Sequence, residues 1–467
     1  MFLKNVFSLI VILSNTLNIL SLTISFYSNK DLSIAATTSE ILDSLKNNIR
    51  YSFINIGDIS QQLAIILTSH DSFSIIKKDD CSIKSNYDIK LSKSVKEYYD
   101  ERNIRYYYIK DYISFNDINK DILIGFIYYN QTDIQQNIYA YIGIQNIAND
   151  KSENFTTNLF TQLKDMKYID KTIIYFNYTN NNNLLLNIGV EPFEINPILY
   201  SEKNVKSIDI DCILDYKIKV DNTGKYRWNL NISKVFYFKK LPIQSSLDPY
   251  VEISRKNTRR VNFFQALLVP EDNLIKGPFE YEEQIEDDFF YDYIKENICK
   301  KINFERKYFF VCKKEYKYLF ENTFPSLYFY SKALDYMFEL TFQDLFIEQK
   351  DYLVFAIYFD YLQTEVFVGA FLSEWFFGKT FLQKYCFSFD LDNGKIRFYQ
   401  ENNIKRRNNS KVDNKNDNKN NSNIRYYQLG LIFVILTIAV IAFIWDRVVK
   451  RKSNRLNNSL IDYNLHI

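Results

Sequence analysis

Histidine is nearly absent from this 467-residue chain, with His70 and His466 the two present. A metal site built on several histidines is excluded. A Ser-His-Asp or Cys-His unit would have to be built on His70, because His466 sits at the extreme C-terminus, past an apolar span. Charge of one sign is lacking too: 58 Lys and Arg stand against 56 Asp and Glu, and the formal net charge of +2 gives no electrostatic footprint for nucleic acid. Glycine is scarce, at 10 residues, which limits where the backbone can turn tightly or approach a neighbour closely. The cysteines are Cys81, Cys212, Cys299, Cys312 and Cys386. An odd number leaves at least one unpaired within the chain, and Cys299 and Cys312, close in sequence, are the best candidates for a bridge. Cys386, inside an apolar run, reads as a core thiol. Aromatic residues are the opposite case: 38 Tyr and 39 Phe bring their share to 17%, which favours β structure. The length is enough for two domains.

Both ends carry targeting signals. Residues 1–23 combine Lys4, the apolar run from Val6 to Leu13 and small residues near Ser21 and Thr23, the pattern of a secretory signal peptide. Near the other end, Leu429 to Trp445 is uncharged. Taken as 426–446, at about 1.5 Å per residue, it spans the ~30 Å hydrocarbon layer as a transmembrane helix. Arg447, Lys450, Arg451, Lys452 and Arg455 follow and put the tail, 447–467, in the cytosol. A single-pass type I membrane protein is expected, its ectodomain lumenal or extracellular. Residues 401–425, rich in Asn, Lys, Asp and Ser, form a stalk too polar to bury a core. Asn-x-Ser/Thr sequons at Asn130, Asn154, Asn177, Asn231, Asn408 and Asn420 are consistent with a lumenal ectodomain; Asn457 bears one in the cytosolic tail.

The stretch from Trp375 to Tyr399 carries the clearest pattern. Apolar runs close at Gly378, Phe381-Leu382 follows, and Tyr385 to Phe389 alternates large and small residues as a half-buried strand does. Asn393-Gly394 predicts a two-residue hairpin turn, and Ile396 to Tyr399 the returning strand. As a string, the stretch resembles the closing segment of the pepsin-like aspartic peptidases: an apolar pair and Gly (Phe376-Phe377-Gly378), an acidic residue (here Lys379), Phe-Leu, and strand–turn–strand around Phe389-Asp390.

The resemblance runs in order from Tyr51 to Tyr399. Tyr51 to Gln61 is similar to the family's opening, and Leu63 to Leu67 to the first catalytic strand. Without a gap, the family's Asp-Thr-Gly-Ser then falls on Thr68-Ser69-His70-Asp71, so Thr68 stands at the catalytic aspartate. Ala140 to Ile144 resembles the apolar-apolar-Gly strand. Asn158 to Asp165 is expected as an amphipathic helix with Leu159, Phe160 and Leu163 on one face. Thr172 to Phe176 and Leu184 to Gly189 are the next strands, and Tyr108 is either the flap tyrosine or a core aromatic. In the second lobe Ala266-Leu267-Leu268 and Leu274-Ile275 with Gly277-Pro278 match the flanks of the second motif, and Val269 occupies its aspartate position.

The resemblance implies a mainly β, bilobal pepsin-like fold with a few short helices plus the C-terminal transmembrane helix, divided as 24–46 (short N-terminal segment), 47–204 and 205–400 (two lobes). It implies no cofactor and no metal. The family's reaction needs two carboxylates about 3 Å apart sharing a proton and a water. Neither Thr68 nor Val269 supplies one, and His70 and Glu271 replace the motif glycines. Asp71 and Asp272, each three residues further on, are either a shifted pair or solvated loop acids. The expectation is a homologue without catalysis that holds a peptide or protein ligand in the inter-lobe cleft. A divergent active endopeptidase and a structural or adhesive surface glycoprotein are the alternatives.

Overall fold

Strand patterning in the sequence comes out as alternating burial: Arg50–Ile56 is buried at every second residue, and Leu327–Ser331 follows the same rule. The computed structural model describes residues 21–28, 37–46, 50–57, 61–68, 73–77, 94–99, 105–115, 122–129, 138–144, 146–147, 158–179, 183–209, 225–226, 228–238, 250–253, 264–360 and 374–402. All belong to one compact unit, Leu20–Asn402; a second unit, Met1–Ile19 with Asn403–Ile467, lies outside the described residues.

The fold is mainly β, and its strands come in two matching sets. The first set is β1 (Leu22–Ser28), β2 (Arg50–Ile56), β3 (Gln61–Thr68), β4 (Ser74–Lys77), β5 (Ser94–Tyr99), β6 (Arg105–Phe115), β7 (Ile122–Tyr129), β8 (Ile138–Gly143), β9 (Ile173–Tyr178) and β10 (Leu184–Ile188). The second is β11 (Val205–Asp209), β12 (Asn229–Ile232), β13 (Phe264–Leu268), β14 (Ile275–Gly277), β15 (Cys299–Phe304), β16 (Lys307–Lys313), β17 (Ile357–Asp360), β18 (Glu374–Phe377), β19 (Cys386–Asp390) and β20 (Lys395–Tyr399). In the first set β2 pairs antiparallel with β3, β3 parallel with β8, β8 antiparallel with β4, β4 parallel with β7, β7 antiparallel with β6 and β6 antiparallel with β5. The strands numbered ten higher repeat every one of these pairings in the same direction.

The two sets are joined through one sheet, ordered β11-β20-β19-β9-β10-β1, with Ile174 opposite Phe389 at its centre. Helix α1 (Thr38–Lys46) lies between β1 and β2. Helix α2 (Leu159–Asp165) precedes β9, and the single turn α3 (Lys379–Leu382) stands at the corresponding place before β19. Asn158 caps α2, its side-chain oxygen accepting from the Thr161 N–H at 3.1 Å, and Leu159, Phe160 and Leu163 are buried as the periodicity predicts. Extra strands Lys234–Phe238, Tyr250–Glu252, Leu327–Ser331 and Tyr336–Leu340 form a separate sheet in the second half. The aromatic surplus fills that half's core: Phe290 stacks on Phe310 at 4.3 Å and Phe324 meets Phe346 edge-on at 4.8 Å.

Several expectations are settled here. Cys299 and Cys312 form a disulfide, directly opposite one another in the β15–β16 ladder. Tyr108 is a core side chain, 5% exposed, its hydroxyl lying over Gly125. The Asn393-Gly394 turn differs from expectation. Four residues, 391–394, link β19 to β20, and of the pair Gly394 alone takes a positive φ. The reason is Asp390, whose carboxylate accepts from the Asn393 N–H at 3.0 Å and side-chain amide at 2.8 Å, closing a wider turn. Leu22 and Thr23, expected as the end of a leader, are in β1, opposite Ile188 and Asn187. Among the described residues no helix is long and apolar enough to cross a membrane; residues 426–446 lie outside them.

Candidate functional site

The repeat decides which residues correspond. β3 runs parallel to β8 until Thr68 lies opposite Gly143. β13 runs parallel to β18 until Leu268 lies opposite Phe377, and the next N–H, that of Val269, donates to the Phe377 carbonyl at 3.0 Å. Val269 therefore stands beside Gly378 as Thr68 stands beside Gly143. Its side chain is a buried hydrocarbon, 6% exposed, able neither to accept nor to give a proton.

The chain turns at once, the Asp272 N–H donating to the Val269 carbonyl at 3.1 Å. This turn packs directly on Gly378: a Cβ there would lie 2.3 Å from the Leu274 carbonyl oxygen and 2.6 Å from that of Asp272. Any other residue would force two backbones apart, which is the physical reason for a glycine at this position. The Lys379 N–H donates to the Asp272 carbonyl at 2.7 Å, and the Thr380 hydroxyl to the Asn273 carbonyl at 3.0 Å.

Side chains of the first half grip the same turn. Arg50, which opens β2 and is 6% exposed, donates from its guanidinium to Asn273 Oδ1 and stands over the Tyr178 ring at 5.5 Å. The Tyr178 hydroxyl donates to the Pro270 carbonyl at 3.2 Å, and Asn273 Nδ2 donates to the Leu45 carbonyl at 2.9 Å. Leu45 belongs to α1, whose Ile41, Leu42 and Leu45 pack against Leu274, Phe309, Val311, Val354, Ala356 and Tyr358 of the second half. Helix α1, which lies in sequence between β1 and β2, thus packs on the second half beside the Val269 turn.

The electrostatics follow from burial. Asp272 is half-buried, and desolvation raises its carboxyl above the usual range against the opposing pull of Lys276, Lys307 and Arg50. The charges around it are cations. Burial brings the Lys379 ammonium down to about 8, with Arg50 adding to the effect. Burial also pushes the Tyr178 phenol up, with Arg50 opposing. Lys276 pairs with Asp360 at 3.4 Å and lies 4.7 Å from the centre of the Phe376 ring.

Asp272 is therefore no solvated loop acid but one member of a polar cluster drawn from both halves. Asp71, its proposed counterpart, lies outside the described residues, as do Ser69 and His70. Residue-by-residue reading missed Arg50 and Asn273, whose meeting depends on a contact across more than two hundred positions. Lys379, where the resembling family has an acid, was the visible signal.

A second buried polar cluster joins β19 and β20 to the loop after β10. Glu191, 2% exposed, accepts from the Ser388 hydroxyl at 2.9 Å and the Tyr399 hydroxyl at 2.5 Å, and pairs with Arg397. Arg397 also holds Asp390 at 2.5 Å. The Phe389-Asp390 pair singled out in the sequence is thus a structural anchor. Cys386, half-buried at the start of β19, is a free thiol that burial pushes up to about 12. Among the described residues no group of His, Cys, Asp and Glu could hold a metal ion. No protein-family model matches the chain, and no curated protein is similar to it at a significant level.

Proposed function

We propose that this chain is a membrane-anchored homologue of the pepsin-like aspartic peptidases that has lost the catalytic pair and binds a peptide or protein between its two halves. One observation carries the reading: Thr68, the last residue of β3, and Val269, the residue directly after β13, each stand beside a glycine, and the second is a buried valine. The duplicated strand pairing supports descent from a two-lobed acid protease. Hydrolysis by such an enzyme needs one carboxylate per half, one acting as base toward water and the other donating to the carbonyl. Valine can do neither. The inherited frame then serves to present a surface, and the anchor follows from the apolar span at 426–446.

The test is incubation of the purified ectodomain with a peptide library at acidic pH. The reading expects recovered bound peptides and no cleavage. Cleavage that Asp71→Ala or Asp272→Ala abolishes would overturn it. A second reading, an active endopeptidase using Asp71 and Asp272, draws on the burial that raises the Asp272 carboxyl, as a general acid requires. Against it stands the cationic setting of Asp272, which favours a fixed carboxylate. Tight binding of a peptide carrying a statine, which imitates the tetrahedral intermediate, would select the second reading.

A further inference from the structure

We infer that Asn177 carries an N-linked oligosaccharide and that Asn231, which bears the same three-residue motif, does not. The inference rests on the proposed lumenal ectodomain. Asn177-Tyr178-Thr179 closes β9, a strand whose other residues are all buried; Asn177 alone is exposed. The ladder from β9 to β19 runs over Ile173, Ile174 and Tyr175, so Asn177 lies past it, opposite Leu185 of β10. Asparagine is a poor strand former, and at the fifth position of this otherwise apolar hexapeptide it gains nothing from packing. No hydrogen bond holds its carboxamide among the described residues. The fold itself gives this residue no task, and it leaves the amide open to solvent.

Asn231 is the contrasting case. It is half-buried in β12, opposite Gln265 of β13. Its side-chain oxygen is sealed from solvent, with no hydrogen-bond partner among the described residues. The motif's Ser233 hydroxyl accepts from the Lys332 N–H at 3.3 Å. With its oxygen buried against the sheet, the Asn231 carboxamide is less open to a transferase than that of Asn177, which stands exposed.

The transfer balances simply. The Asn177 Nδ2 forms a bond to the anomeric carbon of a lipid-pyrophosphate-linked oligosaccharide in the lumen. The carbon–oxygen bond to phosphate breaks, the lipid pyrophosphate leaves with the electron pair, and one amide proton passes to a base of the transferase.

The experiment expresses the full chain in eukaryotic cells and releases N-glycans with an amidase in heavy-oxygen water, which converts each formerly glycosylated Asn into an isotopically marked Asp. Peptide mapping should mark residue 177 and leave 231 unmarked. Asn177→Gln and, independently, Thr179→Ala should each remove one glycan's electrophoretic shift, the second variant guarding against a folding defect from the first. Marks at Asn408 or Asn420 without one at Asn177 would overturn the inference while the topology stood. Marks at no sequon, or at Asn457 alone, would overturn it together with the proposed topology. A mark at Asn231 would refute the burial argument.

Discussion

Val269→Asp puts an acid at the position that the proposed kinship assigns to the second catalytic aspartate, and the fold should resist it. Val269 is 6% exposed and directly follows β13, its N–H donating to the Phe377 carbonyl of β18. Losing the buried isopropyl group costs about 2 kcal/mol. A carboxyl at this depth has its pKa raised by roughly 2–3 units, which adds about 3–4 kcal/mol once the pH is high enough to ionise it in the unfolded chain. The sign follows from proton counting: between the ordinary carboxyl range and the raised folded value, the native state holds more protons than the unfolded one. Stability therefore falls as pH rises through that window. The variant should lose about 2 kcal/mol near pH 4 and about 5–6 kcal/mol near pH 7 relative to the native chain, read from urea unfolding of the ectodomain at both values. A penalty that is absent, or the same at both values, would show a hydrated position ready to hold an ionised acid. Gained peptide cleavage would show that the valine alone had silenced the site and that the first half still supplies a carboxylate.

Glu191→Ala removes the acceptor of two hydroxyls and one partner of Arg397 from a buried cluster, and should destabilise by about 3–5 kcal/mol, measured by denaturant midpoint. Leu42→Ala, at a fully buried position of α1, should cost about 2–5 kcal/mol and speed amide exchange in the 269–273 turn that α1 flanks; exchange confined to α1 would show that the two are uncoupled. Lys379 should titrate near 8 when followed by NMR of the methylated amine, against an ordinary value near 10.5. Because its folded value is lowered, the unfolded chain binds more protons between those two values, so this residue makes stability rise with pH there, and Lys379→Met should flatten that rise.

Much of the fold was readable because its signals are local. The 3.6-residue pattern after Asn158 gives a helix whatever packs on it, and the Cys299–Cys312 spacing closes across one hairpin. The turn chemistry was less faithful. Asn393-Gly394 does not form a two-residue hairpin because the Asp390 carboxylate captures Asn393. A two-residue turn forms instead at Glu305 and Arg306, with φ of 49° and 62°, where the flanking ladder and the disulfide impose it on residues that do not favour it. Arg50 illustrates what could not be read: a charge at the head of a strand is ordinarily solvent-facing, and its partner Asn273 is far away along the chain.

By itself, the sequence determined composition and what it forbids: two histidines cannot build a histidine metal site, and a valine cannot share a proton. It also determined element types, because burial of every second or every third-to-fourth side chain is a property of short segments. Only the tertiary structure decided that β13 and β18 repeat β3 and β8, that Val269 stands beside Gly378 as Thr68 stands beside Gly143, and that Lys276, Lys307 and Arg50 act on Asp272. The reason is that strand pairing and desolvation depend on what the chain brings together from distant positions, and neither is encoded at any single place along it.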